Sequence, residues 1–276
     1  MKRLNALIQL LDDPDQQIAD QVTQEIIAIG DKAIPQLEKF WEENSFEPNF
    51  RDRVEDLVHT IQFNGVVDGL KNWISDDSDL LEGAFWISKY LYPDLELKDL
   101  KSSIKAIADL AAVNITEDMT SRHLIGAINE VLYDKLGYRS NKKHFHAPQN
   151  NMISEVINSR KGNPLLLSVM YILVATELKV PVCGVNLPNH FVTGYLSSEG
   201  KILFYINPFN KGSLLTRQDL VIFLKEMKIP MSDQFLDPCS NKDMVKRMVV
   251  NLIYSYTKLG HDEKVEELRV LETLFD

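Results

Sequence analysis

The sequence is poor in cysteine: its 276 residues hold only Cys183 and Cys239. Two thiols in a chain of this length make no disulfide framework, so a reducing cytoplasm is the expected compartment. The sequence by itself leaves one bridge between the two open. Glycine is also scarce, at 12 residues. No Walker-type loop and no Gly-x-Gly-x-x-Gly run occurs, so no phosphate cradle is expected. No stretch reaches the ~18 consecutive apolar residues that a membrane-spanning helix needs. The start, Met1-Lys2-Arg3-Leu4, runs into an amphipathic pattern and not into a long apolar block, so no secretory leader is expected. Bases are outnumbered, 30 against 40 acids, for a formal charge of -10. That field repels phosphate backbones and disfavours general nucleic-acid binding.

What is present is ordinary material for a soluble protein with a real core. Hydrophobic residues make up 45% of the chain, which is ordinary for a globular core, and 276 residues are enough for one large domain or two modest ones. The first third reads as helices. Leu4, Leu7, Ile8 and Leu11 recur at helical spacing, Asp12-Asp13-Pro14-Asp15 interrupts them, and Ile18, Val22, Ile26 and Ile29 resume the period. Leu11 to Leu37 resembles one HEAT-type helical repeat, with no second copy at a fixed period; an ordinary helical hairpin reads equally well. Further helices are expected over 51–63, 80–92, 97–113 and 121–136, punctuated by Gly65, Asp76-Asp77-Ser78-Asp79 and Pro93-Asp94.

After Gly137 the character changes. Residues 138–151 are polar and read as a loop, and a short helix is expected over 152–159. The run from Leu165 to Ala175 is apolar nearly all round, the mark of a buried central helix. Asn163 suits its cap, and Pro164 suits its first position, where a missing N–H costs nothing. Val182–Leu196 and Ile202–Ile206 carry strand signals around a Ser197-Ser198-Glu199-Gly200 turn. A hairpin centred between Ser198 and Glu199 sets His190 opposite Asn207, and a bulge at Gly200 slips this by one residue. Met244, Met248, Leu252 and Tyr256 mark a helix, Leu259-Gly260-His261 breaks it, and Val265, Leu268, Leu271 and Leu274 mark the last one. The pair is like one tetratricopeptide-type hairpin, which cannot bury its own apolar face and must pack on the body or on a partner.

Two stretches carry a family resemblance. One is Arg160-Lys161-Gly162-Asn163-Pro164-Leu165-Leu166-Leu167-Ser168-Val169-Met170-Tyr171, followed by Ala175 and Leu178. The other is Gly184-Val185-Asn186-Leu187-Pro188-Asn189-His190-Phe191, followed by Ile206-Asn207-Pro208-Phe209-Asn210. Together they resemble the SirB-type family of transglutaminase-like proteins. The resemblance implies an α+β fold with a helical region over 1–120, a transglutaminase-like domain over 121–235 and a helical hairpin over 236–276. It also implies a cysteine at the start of the central helix, a histidine on the strand that follows, and an acid or amide on the next strand to orient the imidazole. His190 matches the histidine and Asn207 the orienting group. The cysteine position, counted back from Lys179-Val180-Pro181, falls at or near Pro164, which has no nucleophile.

The expectation is therefore a non-catalytic protein that binds a protein or peptide partner. Its cleft would be lined by Asn163, Pro164, Asn186, Asn189 and Asn210, offering main-chain hydrogen bonds to an extended peptide. The alternative is an acyl-transfer or amide-hydrolysing enzyme with a displaced nucleophile, Cys183 or Ser168, and His190 as base. Ser168 lies one turn along the helix, displaced by ~6 Å from its start. Its blander reading is a hydroxyl bonded back to a helix carbonyl, and that of Cys183 is a small apolar strand residue. A third reading is an assembly module with no ligand in the cleft. His144 and His146 form a His-x-His pair, but no Cys-x-x-Cys or His-Glu-x-x-His accompanies them, so neither metal nor cofactor is expected. The sequence does not set the oligomeric state.

Overall fold

The computed structural model describes residues 2–43, 48–76, 79–143 and 147–276. They form two compact units, Met1–Lys71 and Asn72–Asp276. The fold is α+β.

The first unit contains α1 (Lys2–Gln9), α2 (Gln16–Ile29), α3 (Ile34–Glu43) and most of α4 (Pro48–Asp76). Asp15 caps α2 by accepting the Gln17 N–H at 2.9 Å, so the aspartate that interrupts the apolar period also starts the next helix. Ile8, Val22, Ile26, Leu37, Val54 and Ile61 bury the apolar stripes against one another. Gly65 does not punctuate α4, as the sequence suggests it should; the helix runs through it. Val66, Leu70 and Trp73 continue the buried stripe beyond it. Their burial, at roughly 1.5–3 kcal/mol per large apolar side chain, outweighs the ~1 kcal/mol helix penalty of one glycine.

The second unit opens with α5 (Leu80–Lys89), α6 (Leu97–Ala112) and α7 (Ser121–Asn129). A π-helical turn, Glu130–Lys135, extends α7. The polar stretch after Gly137 contains β1 (Arg139–Ser140), which pairs in parallel with β2 (Lys161–Gly162) across α8 (Ile153–Ser159). Then comes α9 (Pro164–Glu177), with every residue from Pro164 to Ala175 buried. The expected cap is in place: Asn163 Oδ1 accepts the Leu166 N–H at 2.8 Å.

A five-stranded antiparallel sheet packs beside α9. It is built from β3 (Val182–Val185), β4 (Val192–Leu196), β5 (Ile202–Asn207), β6 (Ser213–Leu215) and β7 (Pro238–Cys239), in the order β6-β5-β4-β3-β7. Two expectations are corrected here. The stretch Val182–Leu196 is not one strand but two, folded back through residues 186–191. Pro188 has no N–H for a ladder, and Asn189 takes a left-handed φ of 59°. The β4–β5 register also differs, because Thr193 faces Ile206 and a bulge falls between Tyr195 and Leu196. His190 therefore precedes β4 and does not face Asn207 across the ladder.

Residues directly opposite share a face and neighbours alternate. Cys183, Gly194 and Tyr205 thus lie on one face, together with Val185 and Val192. That face packs on Leu220 and Leu224 of α10 (Arg217–Glu226). Gly184 and its partner Cys239 lie on the other. The two cysteines point to opposite sides of the sheet, and both are free. The chain ends with α11 (Asn241–Leu259) and α12 (Asp262–Thr273), separated by Gly260 at φ 75°. The hairpin packs inward. Met244, Val245, Met248, Val249 and Leu252 of α11 are fully or almost fully buried. Glycines permit the approach: a Cβ on Gly83 of α5 would meet Val245 Cγ2 at 2.7 Å, and one on Gly184 would meet the Met244 sulfur at 2.7 Å. No described helix is long and apolar enough to cross a membrane.

Candidate functional site

The start of α9, the β3–β4 loop and one side of α11 enclose a cleft of ≈ 700 Å³. From α9 and the turn before α8 come Asn151, Asn163 and Pro164; from the loop, Asn186, Asn189 and His190; from α11, Asp243, Arg247, Val250, Asn251 and Tyr254. Four of the five cleft residues expected from sequence thus meet with His190 around one space. Asn210 and Asn207 are not among its lining residues. Asn207 caps the short 3-10 turn Pro208–Asn210, its side-chain oxygen accepting the Asn210 N–H at 3.2 Å. Asn210 in turn donates to Ser213 Oγ at 3.2 Å.

That turn is held beside His190 from below. Tyr133, on the π-helical turn, donates to the Pro208 carbonyl at 3.0 Å, and Asn129 donates to the Gly212 carbonyl at 3.0 Å. Position 212 favours glycine on two counts: φ is 68°, and a Cβ there would lie 1.9 Å from Asn129 Oδ1. Phe209 then meets the His190 ring edge-on at 6.4 Å between centroids, and Phe223 of α10 sits 5.4 Å away on a tilt. His190 is thus wedged between aromatic rings. Its backbone N–H closes the loop onto the Leu187 carbonyl at 3.2 Å. Burial, with the Arg247 charge adding to it, pushes the imidazole down to about 4. The ring is neutral at neutral pH and binds protons weakly, a poor partner for a thiolate–imidazolium pair.

Neither displaced nucleophile lines the cleft. The Cys183 thiol donates to the Gly194 carbonyl at 3.5 Å, and burial pushes it up to about 11. Ser168 is fully buried in α9, and its hydroxyl has no partner among the described residues. The expected bond back to a helix carbonyl is not made; a buried unpaired hydroxyl costs about 1–3 kcal/mol. Ser255, the one aliphatic hydroxyl among the lining residues, donates to the Asn251 carbonyl at 2.8 Å. His144 and His146 lie outside the described residues, among which no three His, Cys, Asp or Glu side chains converge as a metal site would need.

The residue that sequence reading missed is Arg247. Its Nη1 donates to Asn186 Oδ1 and, at 2.6 Å, to the Leu187 carbonyl, and its guanidinium lies 5.8 Å from the Phe191 ring centroid. It ties the histidine loop to α11. Asp243, Arg247 and Asn251 recur every four residues, so they share one side of α11. That stripe is visible in the sequence, but nothing there says which surface it meets.

Comparison with known proteins fits this geometry. F-box only protein 21 of Homo sapiens is 26% identical over 245 residues, covering 77% of this chain and 38% of that protein. A UPF0162 protein of Xylella fastidiosa (strain 9a5c) is 27% identical over 186 residues, covering 64% of this chain and 66% of its own length. One from Vibrio cholerae is 23% identical over 180 residues, with the same coverages. The chain thus spans well under half of the F-box protein and just under two thirds of the UPF0162 proteins. No solved structure matches the chain. The family model described as transglutaminase-like superfamily matches residues 98–250, from α6 into the first half of α11, and the chain belongs to that superfamily.

Proposed function

We propose that this chain is a non-catalytic transglutaminase-like protein that binds a protein or peptide partner in the asparagine-lined cleft. The observation that carries the reading is Pro164. The helix start that resembles the superfamily's nucleophile position opens into the cleft beside His190, but it presents a proline ring and a capping asparagine. Around it the walls carry asparagines, whose amides can hydrogen-bond a peptide main chain. Similarity to F-box only protein 21 and to the UPF0162 proteins fits a protein-binding role. Within this reading the chain is of the SirB type and works in the cytoplasm. Residues 1–120 form a helical region with one HEAT-like unit, 121–235 the transglutaminase-like domain, and 236–276 a tetratricopeptide-like hairpin whose α11 supplies a cleft wall.

Two measurements test this. Affinity capture with the wild type and with Asn251→Trp, which fills the cleft from an accessible helix position, should recover a partner that only the wild type holds. Equal capture by both, with equal thermal stability, removes the cleft from the proposal. Alkylation of Cys183 and Cys239 between pH 6 and 10, followed by mass spectrometry in wild type and His190→Ala, should show slow labelling that His190 does not accelerate. Fast labelling of Cys183 below pH 7 that disappears in His190→Ala would restore the enzyme reading.

A further inference from the structure

Arg247 differs from every other charged group on the cleft wall in being unanswered. Asp243 spends a carboxylate oxygen on the Ser240 N–H and hydroxyl, at 2.9 and 2.7 Å. Lys246 pairs with Asp276 at 2.9 Å. Arg247 is half-buried, yet its two acceptors, Asn186 Oδ1 and the Leu187 carbonyl, are both neutral and both taken by Nη1. No carboxylate among the described residues pairs with it, and Nε and Nη2 keep their donors unspent. A guanidinium offers five N–H donors in a planar fork that suits a carboxylate. In a chain of formal charge -10, a half-buried cation left without an acid stands against the trend of the surface.

A second observation is independent of Arg247. The Leu166 N–H can only donate, so the Asn163 atom facing it is the oxygen. The Asn163 amide nitrogen must then donate onward, which it does, to Asn151 Oδ1 at 2.8 Å. Asn151 is only 2% exposed and lines the cleft, and its own amide nitrogen has no partner among the described residues. The relay thus ends in a donor on an almost fully buried residue, and its identity is fixed by the helix backbone and not by a free amide flip. The start of α9 adds the positive end of its peptide dipoles at the same place.

We propose that the cleft takes a carboxylate carried by a peptide, with Arg247 and the Asn151 amide as its donors. The inference rests on the peptide-binding reading above and names the group recognised. One unanswered cation and neutral amides match a single negative charge. A phosphate, carrying about two negative charges at neutral pH, would meet the Asp243 carboxylate on the same wall.

The test is a nitrogen-15 NMR titration of the whole chain that follows the Arg247 Nε–H and Asn151 side-chain amide signals. The probes are N-acetyl-triglycine, with a terminal carboxylate; N-acetyl-glycyl-glutamyl-glycinamide, with a side-chain carboxylate; N-acetyl-triglycinamide, with none; and inorganic phosphate. At least one carboxylate probe should bind ten-fold or more tightly than the neutral amide, and the preferred probe identifies the source. Asn251→Asp sets an acid one turn from Arg247 without touching its grip on the loop, and should abolish that preference in a protein that melts as the wild type does. Equal binding of the neutral amide would overturn the carboxylate and leave the peptide reading standing. Tighter binding of phosphate would overturn the ligand class. Absence of shifts with every probe would overturn the inference, while the Asn251→Trp capture decides the peptide reading separately. Carboxylate binding alongside capture that ignores the cleft would keep the site and remove the peptide.

Discussion

The two walls of the cleft are made in different ways. The wall formed by α9 and the β3–β4 loop is built from local devices: a cap at Asn163, a proline at the first helical position, and a left-handed Asn189 after Pro188. The wall formed by α11 has one such device, the Ser240–Asp243 capping box at its start, and none at Arg247, Val250, Asn251 or Tyr254. Its lining residues stand where they do because the opposite side of the helix is buried against α5 and the sheet, through Gly83 and Gly184. The first wall carries Pro164 and His190. The second decides what the space is lined with, and it supplies the one charge that the cleft leaves unpaired.

If α11 is held mainly by packing, the largest effect should come from its buried side. Met248→Ala removes a fully buried side chain and should lower unfolding stability by about 2–5 kcal/mol, read from the denaturant midpoint at unchanged slope. Gly83→Ala should follow. It adds helix propensity, but the new Cβ meets Trp73 Cζ2 at 2.6 Å, and overpacking costs about 1–3 kcal/mol; a gain in stability would break the account of how α11 approaches. On the other wall, Asn163→Ala should cost about 1 kcal/mol, the worth of a helix cap. It should also free the Asn151 amide to rotate, visible as broadened side-chain signals.

The smallest and most pointed effect concerns the link between the walls. His190 should titrate near pH 4 by carbon-13 or nitrogen-15 NMR, and Arg247→Gln should move that midpoint upward by removing the positive charge. The sign for stability follows from linkage. The unfolded imidazole, near 6.5, takes up a proton before the folded one does. The contribution of neutral His190 is therefore full above about pH 6.5 and lost as the pH falls towards 4. A midpoint that Arg247→Gln leaves in place would separate the two walls electrostatically.

The sequence carries the helices with long apolar periods, the caps, the buried character of α9 and the closing hairpin, because each depends on spacing within one segment. It misses α10, although Thr216 and Asp219 form a capping box there, since a short helix between irregular stretches gives little period to read. It misplaces the β4–β5 register by two residues: the turn itself pairs Leu196 with Ile202, one step off a hairpin centred between Ser198 and Glu199, and the bulge at Tyr195/Leu196 adds the second. It reads Gly65 as a stop because propensity is local, whereas the burial that carries α4 through it is not.

By itself, then, the sequence determined the α+β class and the capped central helix with proline where a nucleophile is expected. Those follow from local backbone chemistry: caps and missing N–H groups act over a few residues. Only the tertiary structure decided that Asn207 serves its own turn, that the two cysteines face opposite sides of the sheet, and that Arg247 closes the cleft. Those depend on register and on which helix face is buried, and both are settled by packing between segments far apart in the chain.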